Sequence, residues 1–208
     1  MRVTLTEFLT LDGVVQGPGM PDEDTRGGFR HGGWQFPYAD EDFGRLVAGW
    51  FGQADAFLLG RWTYDIFAGH WPRMTDPDDP VASALNGLPK YVVTGTPLIA
   101  EWEGTTALTG DLAQEVGALR RRPGRELQIW GSATLARSLL GLGLVDELRL
   151  LIHPVVLGEG ARLFDTRDGG VAPAALKLTG TATTGSGVVL HTYEPLGAPR
   201  YGAFPAPD

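Results

Sequence analysis

The chain has 208 residues, of which 43% are hydrophobic and 20% charged, the composition of an ordinary globular protein with one full core. Its formal net charge of −8 argues against a general nucleic-acid or membrane-surface binder. Cysteine is absent, which excludes disulfides, thiolate catalysis and Cys-ligated metals.

Residues 2–10 alternate apolar and polar side chains, with Val3, Leu5 and Glu7 set against Thr4, Thr6 and Phe8. This pattern predicts a first strand. The N-terminal residues carry no continuous apolar stretch of the signal-peptide kind, and no run is long enough to span a bilayer, so a cytoplasmic enzyme or binding protein is expected. Leu11-Asp12-Gly13 reads as a turn or bulge at the strand end. Asp12 there is either a turn-forming Asx residue or a polar group offered to a ligand.

Residues 17–38 form a long irregular stretch. Its aromatics Phe29, Trp34, Phe36 and Tyr38 predict an ordered loop that covers something. Residues 40–53 have helical spacing, with Asp40 as cap and Phe43, Leu46, Val47 and Trp50 inward. A strand at residues 54–59 ends in Gly60-Arg61-Trp62-Thr63, and a short helix is expected at 65–67. The acidic, Pro-rich segment 72–80 is a surface loop, and a weak helix follows at 81–88. Residues 90–94 make a short strand closed by Gly95-Thr96-Pro97, and 102–109 fits an edge strand. A helix over 111–122, capped by Asp111, ends at Pro123-Gly124.

Residues 127–152 form a strand–helix–strand unit, the arrangement of two parallel strands with a right-handed crossover. The strand Leu127–Trp130 breaks at Gly131-Ser132, with Ser132 as N-cap. Leu135, Leu139, Leu140 and Leu142 share the inner side of the helix. Residues 176–184 and 188–193 are strands joined by Gly185-Ser186-Gly187, a hairpin. The sequence therefore predicts an α/β fold, mainly parallel, with antiparallel strands at one edge. A single domain is expected over 1–195. The Pro/Gly-rich tail 196–208 is expected to be loose or to pack on a partner subunit.

Three strand ends carry the chemistry. In an open parallel sheet, ligands gather beyond the carboxyl ends of the strands. Gly60-Arg61-Trp62-Thr63, Thr94-Gly95-Thr96 and Gly131-Ser132-Ala133-Thr134 all fall there, offering a guanidinium, hydroxyls and a helix N-terminus. Taken singly, each is an ordinary turn or helix start. Together they suit a ligand with several phosphates, although the Gly-x-Gly-x-x-Gly fingerprint is absent. His31, His70, His153 and His191 show no short metal spacing, and His153 and His191 read as strand residues that are packed or face solvent. No nucleophile-elbow pattern supports a serine hydrolase.

The order of the motifs resembles the dihydrofolate-reductase-like superfamily. It is more similar still to the reductase domain at the C-terminus of the bacterial bifunctional riboflavin-biosynthesis protein and its stand-alone relatives. The resemblance rests on Leu11-Asp12-Gly13, Leu59-Gly60-Arg61-x-Thr63-Tyr64, Lys90-x-Val92-Val93-Thr94-x-Thr96 and Trp130-Gly131-Ser132. It continues through Gly143-Leu144-Val145-Asp146-Glu147-Leu148, Pro154-Val155-Val156-Leu157-Gly158-Glu159-Gly160 and Gly187-Val188-Val189-Leu190-x-x-Tyr193. It implies a three-layer α/β/α fold with a mixed central sheet, a homodimer, and NADPH bound across the strand ends. By the same resemblance, Arg61, Thr63, Thr94 and Thr96 (beside Gly60) would hold the 2′-phosphate side. Gly131, Ser132, Ala133 and Thr134 would hold the pyrophosphate, and Asp12 and Gly13 would lie near the nicotinamide.

The activity implied is hydride transfer from NADPH to a small heterocycle or carbonyl compound, of the 5-amino-6-(5-phosphoribosylamino)uracil reductase kind. The loop at 27–38 would then be a lid, with Trp34 as a stacking wall and Asp12 orienting substrate or relaying a proton. The other reading is a non-catalytic binder of a nucleotide or flavin-like ligand on the same fold. Residues 44 to 50 contain no acid, where dihydrofolate reductases place the one that protonates the pterin, so folate reduction is not implied.

Overall fold

A computed structural model of the chain describes residues 1–165 and 172–204. Eight strands form one sheet: β1 (Arg2–Thr10), β2 (Ala54–Gly60), β3 (Lys90–Val93), β4 (Thr105–Leu108), β5 (Glu126–Trp130), β6 (Glu147–His153), β7 (Ala175–Thr183) and β8 (Val189–Gly197). Their order across the sheet is β4-β3-β2-β5-β1-β6-β8-β7. The first six are mutually parallel, and β8 runs antiparallel to both β6 and β7. The hairpin predicted from Gly185-Ser186-Gly187 is therefore the antiparallel edge, and the mixed, mainly parallel sheet is as expected.

Among the described residues, five α-helices cover the sheet: α1 (Glu41–Phe51), α2 (Arg61–His70), α3 (Pro80–Gly87), α4 (Leu112–Arg120) and α5 (Ala133–Gly141). Val116 and Leu119 of α4 and Leu135, Ala136 and Leu139 of α5 pack with Val3, Leu5, Leu127, Ile129 and Leu148 on one face. On the other, Phe51, Tyr64 and Leu85, from α1, α2 and α3, pack with Phe57, Leu59 and Trp130. Side chains alternate across a strand, so each central strand feeds both cores. That is why β1 and β5 are buried almost throughout instead of showing one wet face.

The second core also holds charge. Arg149 on β6 donates to Glu126 on β5 at 2.7 Å and to Glu147 at 2.6 Å. Gln128 bridges Glu126 to the Trp50 carbonyl at 2.6 and 2.7 Å. Buried charges persist only when paired in this way.

Several boundaries differ from expectation. The helix after β2 begins at Arg61, directly on the strand end, because Arg61 pairs with Asp65 at 2.7 Å one turn on and fixes the first turn. Leu142 is half-exposed, because α5 ends at Gly141 and Leu142 lies past the last turn. Strand β8 runs through Pro195 to Gly197, held by Ala175 of β7, so the ordered domain outlasts residue 195. Beyond it, Tyr201 and Phe204 are exposed. Residues 205–208 of the expected tail lie outside the described residues. Among the described residues, no helix is long and apolar enough to cross a membrane.

Candidate active site

Strands β2 and β5 end side by side, at Gly60 and Trp130. The neighbouring β1 pairs with β5 only as far as Thr6 but continues to Thr10 alongside β6. The result is a notch at the carboxyl edge of the sheet. Its floor is Gly60 and Gly131, and one wall is the free length of β1.

The sequence-predicted phosphate residues meet at this floor. The Gly60 amide donates to the Ser132 hydroxyl at 2.9 Å, tying the start of α2 to the start of α5. Ser132 is the only non-glycine residue among those described with positive φ (64°), and Gly131 before it also sits at +61°. Two successive left-handed residues turn the chain sharply from β5 into α5, a conformation natural for Gly and strained for Ser. Ser132 does occupy the N-cap position, but its side chain caps nothing in α5. Thr63 lies next to Gly131, 3.9 Å from where a Cβ would stand there.

The two helices that open on the notch differ from the rest. Helices α1, α3 and α4 each begin with an aspartate that accepts backbone N–H groups: Asp40, Asp79 and Asp111. Helices α2 and α5 begin at Gly60 and Ser132 with no side-chain cap and no acid in the first turn. Their first N–H groups, including those of Ala133 and Thr134 in α5, are donors at the positive end of a helix dipole, with no carboxylate to compete for them.

Arg61 links the notch to the turn after β3. Its Nη1 donates to Thr96 Oγ1 at 3.1 Å and to the Pro97 carbonyl at 2.7 Å, while its Nε is held by Asp65. Nη2 makes no hydrogen bond among the described residues. Thr94 is buried, and its hydroxyl shapes that turn, donating to the Thr96 carbonyl at 2.7 Å and accepting from the Thr96 amide at 3.1 Å. Of the two threonines, Thr96 is the exposed one.

Asp12 and Gly13 lie apart from this cluster, at the far end of β1. The Asp12 carboxylate accepts from Thr10 Oγ1 at 2.7 Å, from the amides of Leu157 and Gly158 at 3.2 and 2.9 Å, and from Arg162 at 3.2 Å. Desolvation acts to raise its pKa. The bonds from Thr10, Gly158 and Leu157 outweigh it and bring the group down to about 2. An acid so fully engaged, and ionised at neutral pH, suits an anchor rather than a proton relay. The residues that grip it belong to the Pro154–Gly160 run singled out in the sequence. Gly160 is obligatory there: at φ +114°, a Cβ would meet Val14 at 2.8 Å and Phe29 at 2.9 Å. Gly13 closes the turn, its amide donating to the Thr10 carbonyl at 2.9 Å.

Trp34 corrects one expectation. It is not an open stacking wall: it is 6% exposed, donates Nε1 to the Gln16 carbonyl at 2.8 Å, and packs with Val14 and Phe29 in a small core of the loop's own. The loop nonetheless reaches the start of α2. Gln16 binds the Asp24 and Arg26 carbonyls, and Arg26 lies over the Trp62 ring at 4.2 Å, next to Arg61.

Two buried groups stand outside the set of sequence-predicted site residues. Glu7, on the wall of the notch, is 3% exposed, and its Oε1 has no hydrogen-bond partner among the described residues. Burial raises its pKa to about 8, against the pull of Arg137. His153 ends β6 inside a box of rings from Phe8, Trp34, Tyr38 and Phe43. The alternation of β1 placed Glu7 with Val3 and Leu5, but no local signal shows that an acid is left unpaired.

This fold is the dihydrofolate-reductase-like one: dihydrofolate reductase from Enterococcus faecalis, solved with NADP(H), superimposes with a TM-score of 0.57 at 15% identity, over 94% of this chain and 96% of that one. The chain belongs to the RibD C-terminal domain family, whose model matches residues 1–190. It is 33% identical over 196 residues to the uncharacterised protein YyaP of Bacillus subtilis (strain 168), covering 92% of this chain and 94% of YyaP. The bifunctional diaminohydroxyphosphoribosylaminopyrimidine deaminase/5-amino-6-(5-phosphoribosylamino)uracil reductase of Thermotoga maritima matches with a TM-score of 0.62 at 16% identity. That match covers 93% of this chain and 56% of the bifunctional one. Solved proteins that share this fold include reductases.

Proposed function

We propose that the protein is an NADPH-dependent reductase that delivers hydride to a small heterocyclic or carbonyl substrate. The observation that carries this reading is the pair of uncapped helix starts at Gly60 and Ser132, joined at 2.9 Å, with Arg61 beside them. Two dipole ends and a guanidinium make a donor set for a polyanion, and an aspartate cap at either helix would repel one. The residues present therefore fit a phosphorylated dinucleotide.

On this reading, the N–H groups of Ala133 and Thr134 and the Thr63 hydroxyl hold the pyrophosphate. Arg61 and Thr96 hold the 2′-phosphate, which favours NADPH over NADH. Thr94 sets the turn that presents Thr96. NADPH, when bound, supplies the hydride, and the chain supplies orientation and exclusion of water. Asp12 holds the Leu157–Gly158 segment and the strand end beside the nicotinamide, and the 17–38 loop closes above. The named chemistry of the structural neighbours supports this choice of reaction, and a homodimer is part of the same reading.

Titrating the protein with NADPH while following tryptophan fluorescence tests the proposal, with Trp62 beside the site as reporter. Quenching that saturates below millimolar NADPH is the expected result, and none would refute it. Tight binding with no NADPH consumed across pterins, flavin precursors and quinones would favour a non-catalytic binder instead.

A further inference from the structure

His153 is fully buried where β6 ends, opposite Thr10 of β1. Its Nδ1 lies 3.2 Å from the Leu9 carbonyl and 3.0 Å from the Leu151 carbonyl. Carbonyl oxygens only accept, so Nδ1 carries the hydrogen. Burial disfavours the imidazolium and lowers the pKa, so the ring is neutral and Nε2 bears a free lone pair. That nitrogen is buried and has no hydrogen-bond partner among the described residues.

The surroundings do not explain this as ordinary core packing. Four rings enclose the imidazole, with centroids at 5.9 Å (Phe8), 5.2 Å (Trp34), 5.9 Å (Tyr38) and 6.0 Å (Phe43). A buried water needs at least two polar partners. The phenylalanines offer only carbon, Trp34 Nε1 is committed to Gln16, and the Tyr38 hydroxyl reaches the Pro154 carbonyl at 3.5 Å. An unpaired buried acceptor is destabilising and calls for a reason.

Position supplies one. Phe8 stands on the free length of β1 that walls the notch, and its other edge meets Trp130, the residue before Gly131, at 6.1 Å. The box is therefore the compartment next to the cofactor floor, on the side away from Arg61. Two of its rings, Trp34 and Tyr38, come from the 17–38 loop.

We infer that His153 Nε2 is the specificity-determining hydrogen-bond acceptor for the substrate, a planar heterocycle with a ring N–H. The heterocycle takes the place of the loop rings against Phe8 and donates its N–H to Nε2. His153 is a receiving group here and no proton donor. This inference rests on the reductase reading, and the experiment separates the two.

The probe is 5,6-diaminouracil, added to the full-length protein with NADP⁺ bound. The ¹⁵N resonance of His153 Nε2 is expected to move upfield on saturation, as an unprotonated nitrogen does on accepting a hydrogen bond. His153→Asn keeps a donor near the Nδ1 position and loses Nε2, while His153→Gln keeps an acceptor near Nε2 and loses Nδ1. Probe affinity is expected to fall about tenfold or more in the Asn variant and to stay within about threefold in the Gln variant, with NADPH affinity unchanged in both. A merely structural histidine would give the reverse order, with Asn near wild type and Gln least stable in thermal unfolding. An unmoved resonance, or full probe affinity in the Asn variant, overturns the inference. Should neither variant fold, the wild-type resonance alone decides. Loss of NADPH binding in the wild type would instead sink the reductase reading, and the resonance can still be followed without cofactor.

Discussion

The Gly60 amide and the Ser132 hydroxyl, 2.9 Å apart, join two helix starts that are 72 residues apart in the chain. Ser132 accepts this bond from a left-handed backbone conformation (φ 64°) that costs a non-glycine residue about 1–2 kcal/mol. Ser132→Ala keeps the strain and leaves the Gly60 N–H without its partner, an expected loss of about 1–2 kcal/mol in urea unfolding. Ser132→Gly loses the same bond but relaxes the backbone, so its midpoint is expected above that of the Ala variant. Equal midpoints would show that the strain is not stored there.

On the proposed reading, Arg61 reads the 2′-phosphate. Arg61→Ala is expected to weaken NADPH by about ten- to a hundredfold and NADH by less than about threefold, measured by fluorescence titration. Arg61→Lys should recover little, because an ammonium cannot span Thr96, Asp65 and a phosphate at once. Equal losses for the two cofactors would place the 2′-phosphate elsewhere.

Asp12 holds two loops as an ion. Its folded pKa of about 2 lies below its ordinary 3.8, so the folded state binds the proton less readily than the unfolded chain. The resulting stability is present above pH 3.8 and is lost as pH falls toward 2. Asp12→Asn is expected to cost about 1–3 kcal/mol at pH 7 and to flatten the acid limb of the thermal midpoint. An unaltered acid limb would assign that sensitivity to other carboxylates.

Glu7 has the opposite sign. Its folded pKa of about 8 lies above its ordinary 4.5, so the folded state holds the proton through that interval while the unfolded chain releases it. Stability should therefore decline as pH rises from about 4.5 to 8. Glu7→Gln removes the titration and should raise the thermal midpoint at pH 8 by several degrees, with little change at pH 5. A wild-type midpoint that is flat across this range would show that Glu7 finds a partner.

The sequence by itself determined the elements and the scaffold. Alternation over residues 2–10, the aspartates before residues 41 and 112, and the Gly185-Ser186-Gly187 turn are local signals, because the caps and periodicities that build them lie within a few residues. The Gly143 to Gly160 run marked the family, and contact between Asp12 and the Leu157–Gly158 amides gives that run its physical purpose. The strand ends at Gly60 and Gly131 were legible for the same reason, since each leads into a helix start.

Only the tertiary structure decided how those groups combine. That Gly60 meets Ser132, that Arg61 reaches Thr96, and that Trp34 is buried against His153 all depend on strand order, which brings distant residues together. The solitary states of Glu7 and His153 Nε2 are likewise invisible in sequence. Whether a buried polar atom has a partner depends on every element packed around it, and no single stretch of chain records that sum.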